Sequence, residues 1–166
     1  MKEINVKDLT KNPFSMIGDE WMLITAKKGD QVNTMTASWG GVGIMWGKTI
    51  ATCYIRPQRY TKEFVDAGDT FTLSFFGGEQ KKAMGYVGRV SGRDEPDKIE
   101  KAGLHLTEVD GQPAFEEASL VLVCKKLYVQ EMKEECFLGT EEIEKWYPEK
   151  DYHFMYMSEI VKAYEK

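Results

Sequence analysis

An apolar run that ends in a proline flanked by arginines does most to restrict what this chain can fold into. Thr49-Ile50-Ala51-Thr52-Cys53-Tyr54-Ile55 reads as a buried strand. Arg56-Pro57-Gln58-Arg59-Tyr60 follows, and a helical pattern begins at Thr61-Lys62-Glu63-Phe64. Pro57 stops the strand and fixes the chain direction, because it has no N–H to donate and restricts the residue before it. Thr61 falls where a helix leaves its first N–H groups unpaired and its dipole is positive. Arg56 and Arg59 add full charges nearby. A strand-to-helix junction with that chemistry suits a phosphate. It lacks the G-x-x-x-x-G-K-S/T pattern of a nucleotide-hydrolysing loop, and the G-x-G-x-x-G turn of a Rossmann site.

The bulk of the chain narrows the partners. At 166 residues it is long enough for one sizeable core, so residues 1–166 are read as a single domain. A net charge of −5 argues against a general nucleic-acid binder, and an anionic ligand would need a local basic patch, which residues 56–62 supply. Three cysteines, an odd number with no C-x-x-C spacing, make a disulfide framework or zinc site unexpected, and no metal ligand set is read. The stretch Met1–Asp8 lacks the apolar core of a signal peptide. No apolar run approaches the ~18 residues of a membrane span. The cytoplasm is the expected location, without membrane partners.

Periodicity places the elements. Trp21–Ala26 is an apolar strand followed by a turn at Lys27–Asp30, and Val32–Trp39 is small and hydroxyl-rich, either strand or ordered loop. Gly40-Gly41-Val42-Gly43 permits a close backbone approach or a sharp corner. A short helix over 61–67 stops at Gly68, and 69–76 alternates as a strand. Residues 79–87 read as a helix with Ala83, Met84 and Val87 on one face. A loop follows at Gly88-Arg89-Val90-Ser91-Gly92-Arg93-Asp94, then a short helix over 97–102. Strands are expected at 104–109, 119–132 and 152–164, with a helix at 140–147 capped by Thr140. Six or seven strands with short helices between them give an α+β, mostly β fold, a small barrel with helical insertions.

Each candidate site has a plain alternative. Arg56, Arg59, Tyr60 and Thr61 form either a phosphate clamp or a capped helix with solvated arginines. Asn33-Thr34-Met35-Thr36-Ala37-Ser38-Trp39 lets a flat heterocycle lie close to the backbone, or is a Thr-rich edge strand. Ser91-Gly92-Arg93-Asp94 is an anion-holding loop or a polar turn. Cys53 and Cys124 belong in the core, and Cys136 has no sign of reactivity. His105 and His153 neighbour no nucleophile in a known pattern, so no catalytic side chain is named.

Taken together, these segments resemble the flavin reductase-like, FMN-binding split-barrel family, flavoredoxin-type proteins above all. The resemblance covers residues 12–164. It rests on Asn12-Pro13 with Trp21–Ala26, on Asn33–Trp39, on Ile55-Arg56-Pro57-Gln58-Arg59-Tyr60-Thr61, on Phe71–Phe76, on Gly88–Asp94, and on Ser158-Glu159-Ile160-Val161. Relatives carry Gly where this chain has Ser158. The resemblance implies a six-stranded Greek-key split barrel, a homodimer, and one non-covalent FMN per subunit. By that likeness Asn33, Thr34, Met35, Thr36, Ala37, Ser38 and Trp39 run along the isoalloxazine. Cys53, Tyr54, Ile55 and Arg56 line the ring and ribityl chain. Arg56, Gln58, Tyr60 and Thr61 surround the phosphate, and Ser91, Gly92, Arg93 and Lys98 form a second loop at the cofactor, supplied by either subunit. The implied activity is an NAD(P)H:flavin oxidoreductase reducing flavin or another acceptor, or a flavoredoxin-type electron carrier. The flavin N5 would carry the chemistry and NAD(P)H would act as transient donor. A non-catalytic FMN-binding carrier or sensor is the alternative.

Overall fold

The computed structural model describes residues 1–166. In chain order its elements are β1 (Lys2–Ile4), β2 (Met22–Lys28), β3 (Gln31–Ala37), β4 (Gly40–Met45) and β5 (Lys48–Ile55). Next come α1 (Thr61–Ala67), β6 (Thr70–Phe75), α2 (Lys81–Arg89), α3 (Lys98–Lys101), β7 (Leu106–Val109) and β8 (Gln112–Phe115). The chain closes with β9 (Leu120–Glu131), α4 (Glu141–Trp146) and β10 (Phe154–Glu165).

Eight strands share one antiparallel sheet in the order β3-β2-β6-β9-β10-β5-β4, with β1 on β10. The sheet rolls around a single core. Inward residues of β2 (Ile24), β3 (Met35), β5 (Cys53), β6 (Phe71), β9 (Leu122) and β10 (Tyr156) all meet in one cluster, and Phe64 and Val65 of α1 pack into it. These six strands are the split barrel; β3 and β4 are the two free edges of the whole sheet, linked by Ser38 and Trp39. The expected count of six therefore describes the barrel alone. β1 and β4 extend the sheet, and β7–β8 form a separate hairpin. The strand expected at 104–109 is β7, whereas β1 and β4 escape the sequence pattern for separate reasons. β1 is only three residues long and unburied, while β4 is glycine-rich and exposed, so neither shows a period of two.

The outer face of the barrel has its own core. Leu23, Val121 and Val123 point outward and are covered by Ala83, Met84 and Val87 of α2, by Ile99, and by Ala114 and Phe115 of β8. The α2 face read from the periodicity is thus the buried one. Gly40 shows why the glycine run sits where β4 meets β5: a Cβ there would lie 2.6 Å from the Thr52 carbonyl oxygen. Ser158 is fully buried beside a break in the β9–β10 register, and its hydroxyl has no hydrogen-bond partner. Thr140 occupies the residue before α4, but its side chain makes no cap. Cys53 and Cys124 are buried and Cys136 is exposed, all as free thiols. No helix is long and apolar enough to cross a membrane.

Candidate functional site

Two cavities meet at Arg59. The first, of about 230 Å³, is lined by Met35–Trp39 of β3 and its exit, by Tyr54, Arg56 and Arg59, and by Trp146 and His153. The second, of about 190 Å³, is lined by Asn33, Gln58–Thr61, Gly88–Gly92 and Lys98. One is aromatic, the other polar and basic, and neither lining contains a carboxylate.

The aromatic cavity follows from the barrel's open edge. β3 pairs only with β2, so alternate N–H and C=O groups along it stay outside the ladder. Small residues, Ala37 and Ser38, keep that backbone reachable. Trp39 turns across the mouth, its ring 5.1 Å from His153 and 5.0 Å edge-to-face from Trp146. His153 is buried, with Nδ1 2.9 Å from the Tyr147 hydroxyl. Burial, and then the Arg56 charge, push its imidazole down to about 4, so it is neutral at physiological pH.

The basic cavity is built around lysine and arginine without acids. Lys98 is buried, its ammonium donating to the carbonyls of Val87 (3.3 Å) and Val90 (3.0 Å). Burial, reinforced by the Arg59 charge, lowers it to about 8. Burial lowers Arg59 as well, and its Nη1 donates to the Gly88 carbonyl at 2.8 Å. Asn33 Nδ2 donates to the buried Thr61 hydroxyl at 3.0 Å. Gly92 presses on the same amide so closely that a Cβ would fall 2.2 Å from Asn33 Oδ1. A buried lysine and a half-buried arginine facing one acid-free cavity form a site whose charge is balanced only by a bound anion.

The structure gathers most of the residues singled out from the sequence and redistributes them. Met35, Thr36, Ala37, Ser38, Trp39, Tyr54 and Arg56 line the aromatic cavity; Asn33, Gln58, Tyr60, Thr61, Ser91, Gly92 and Lys98 line the basic one. Cys53 and Ile55 are buried in the barrel core, and Thr34 is buried on the opposite face of β3 from Met35, its hydroxyl 2.8 Å from that of Thr25, so none of the three lines either cavity. Arg93 also lines neither: it pairs with Glu63 and lies over the Tyr60 ring. Arg56 does not reach the basic cavity. It pairs with Asp151, donates to the Trp146 carbonyl at 2.7 Å, and stands at the aromatic end. Arg59, which sequence reasoning assigned either to the clamp or to solvent, borders both cavities. Trp146 and His153 were missed as wall residues, since only folding brings 146–153 back to β3. His105 is remote, paired with Glu117 on the surface. No group of three or more His, Cys, Asp or Glu side chains is gathered to hold a metal.

Residues 15–165 match the model of the flavin reductase-like domain. The chain belongs to that family. An uncharacterized protein of Aeropyrum pernix is 28% identical over 142 residues, covering 84% of this chain and 52% of that protein, so this flavin reductase-like chain spans about half the length of that curated relative. Among solved structures, the FMN-binding domain of a flavin reductases-like enzyme from Shewanella baltica is 17% identical. It superposes with a TM-score of 0.72 over 99% of this chain and 76% of that one. A flavoredoxin from Methanosarcina acetivorans is 19% identical, with a TM-score of 0.63 over 100% of this chain and 75% of that one. At these identities the likeness is one of fold, and it places the chain among flavin reductase-like split barrels.

Proposed function

We propose that this flavin reductase-like domain holds one FMN non-covalently, with its ring in the aromatic cavity and its phosphate in the basic one. The observation that carries the reading is a buried lysine, Lys98, and a half-buried arginine, Arg59, facing a cavity without carboxylates and adjoining an aromatic slot. Neither cavity alone reaches the ~300 Å³ of an ordinary small-molecule site, whereas a ring joined to a phosphate by a flexible chain spans both. When bound, FMN supplies a ring that takes up and releases a hydride, so the protein needs no acid, base or nucleophile of its own. The chain's residues then bind and orient. Lys98, Arg59 and Ser91 hold the phosphate, and the Asn33–Thr61 hydrogen bond fixes the cavity floor. Free groups of β3 pair with the ring edge, while Trp39 and neutral His153 border its exposed side and limit water.

The activity proposed is transfer of electrons from NAD(P)H to flavin or another acceptor. This reading rests on the exposed mouth beside Trp39, where a second ring can approach. A homodimer is proposed as the working form. β4 is a free edge that carries Val42 (37% exposed) and Ile44 (68%), and Val42 shares a groove with Phe14 (85%), an apolar surface that a second copy would cover. Ser38 and Trp39 line both the aromatic cavity and the groove beside β4, so that copy would also close the cavity's outer wall.

Two measurements on purified protein test the proposal. Added FMN is expected to be retained in about one equivalent, with a flavin absorbance band; protein that takes up none refutes the cofactor. Anaerobic NADH or NADPH is then expected to bleach the band. Bleaching by dithionite alone assigns a carrier or sensor instead of a reductase.

A further inference from the structure

The connection between β9 and β10 is far longer than these strands require. They pair along most of their length, and the Met132 N–H donates to the His153 carbonyl at 2.9 Å, so a few residues would close the hairpin. The chain instead runs out through residues 133–152 and back. Connections longer than about 15 residues in a compact domain are usually functional or disordered, and this one is tightly tied down. Tyr147 packs edge-to-face on Phe137 and at a tilt against Tyr152, with ring centroids 5.9 and 5.0 Å apart. Arg56 pairs with Asp151, lies over the Tyr147 ring and binds the Trp146 carbonyl, while Gln58 Nε2 donates to Asp151 at 2.6 Å. Burial opposes ionisation of Asp151, but its bonds from Arg56 and Gln58 prevail and keep the carboxyl below its usual range. Between residues 133 and 152 one side chain alone enters the aromatic cavity, that of Trp146. Its ring stands at 89° to Trp39, leaving a slot of about 230 Å³ between this excursion and β3.

We infer that Trp146 is the specificity-determining wall at the mouth of the aromatic cavity: beside the bound flavin ring it admits flat aromatic electron partners and keeps out thicker ones. Arg56 and Asp151 are positioning residues that act through it. This rests on the flavin reading above. A rigid indole, held through its backbone by a guanidinium, forms one side of the mouth. A planar ring can slide past it, but a ring flanked by bulky groups cannot.

The test uses two uncharged quinones, menadione and a di-tert-butyl benzoquinone, because the excursion is rich in glutamate and would sort charged probes by sign. FMN-loaded protein is reduced anaerobically with dithionite and mixed with each. The quinone takes up two electrons and two protons and leaves as hydroquinone, while the cofactor returns to its oxidised form. Equilibrium binding is read separately by titrating oxidised protein with naphthol and with a di-tert-butyl phenol. Wild type is expected to favour the flat member of each pair by about tenfold or more, the scale on which a shaped pocket discriminates. Trp146→Ala and Trp146→Leu are expected to erase most of that ratio by admitting the thick member, Trp146→Phe to keep it, and Asp151→Asn to lower it partly. A merely structural role would weaken both members alike. If FMN binds but the ratio in both truncations stays within about twofold of wild type, this inference falls and the cofactor reading stands. If wild type binds no FMN, both fall.

Discussion

Lys98 gives the most quantitative prediction. Burial and the neighbouring Arg59 hold it at about 8 where an unperturbed lysine lies at 10.5. A phosphate dianion in the cavity repays the lost hydration and returns the ammonium toward its ordinary range. Binding therefore takes up a proton above pH 8, and FMN affinity falls as pH rises. Between pH 7 and 9.5 the cost grows to about 1.5 pH units, or roughly 2 kcal/mol, a loss of about 30-fold in affinity. The arginines keep their charge throughout. Flavin fluorescence quenching measures the dissociation constant at each pH, with riboflavin, which lacks the phosphate, as the control that should show no such slope. Lys98→Met should weaken FMN at pH 7 by about 1.5–3 kcal/mol, roughly 10- to 100-fold, and flatten the profile. The apoprotein gives a linked signal. Between about pH 8 and 10.5 the unfolded chain holds this proton and the folded chain does not, so stability rises with pH, and bound FMN should remove that rise. An FMN affinity unchanged from pH 7 to 9.5, or an equal slope in Lys98→Met, refutes the placement of the phosphate beside Lys98.

Other expectations are simpler. His153 is held at about 4 against 6.5 when unfolded, so its contribution to stability is present above 6.5 and is lost as pH falls toward 4; His153→Gln should shift the acid-denaturation midpoint downward. Ser158→Ala removes a buried hydroxyl that has no partner and should stabilise the fold by about 1 kcal/mol in urea melts; destabilisation would show that the hydroxyl is satisfied. Gly92→Ala would drive a Cβ into the Asn33 amide, so FMN affinity should fall while most of the thermal stability remains, seen by calorimetry and flavin titration together. Ile44→Glu on the β4 edge should yield monomers in sedimentation; an unchanged mass would move the dimer contact elsewhere.

The sequence made the barrel legible because its strands carry strong local signals. Residues 49–55, 69–76 and 119–132 are apolar or alternating runs, and each became a barrel strand with shifts of one or two residues at the ends. The α2 face was equally plain, since Ala83, Met84 and Val87 repeat at helical spacing and bury together. Weak signals marked the elements that were missed: β8 contains Pro113, which argues against a strand, yet its carbonyl simply accepts from Thr72 at 2.6 Å. Within the site, local chemistry picked out the segments but not the direction of each side chain. Arg56 and Arg59 look alike in the sequence, and only the fold shows one turned to Asp151 and the other to the cavity junction. Trp146 and His153 are set by a contact between β3 and a connection about a hundred residues away in the chain, which no local pattern encodes.

The most direct test is a crystal structure of the protein grown with FMN. The account predicts the isoalloxazine between β3, Trp39 and His153, and the phosphate within hydrogen-bond reach of Lys98 and Arg59. A phosphate bound at Arg56 and Asp151, or a flavin outside both cavities, would contradict it.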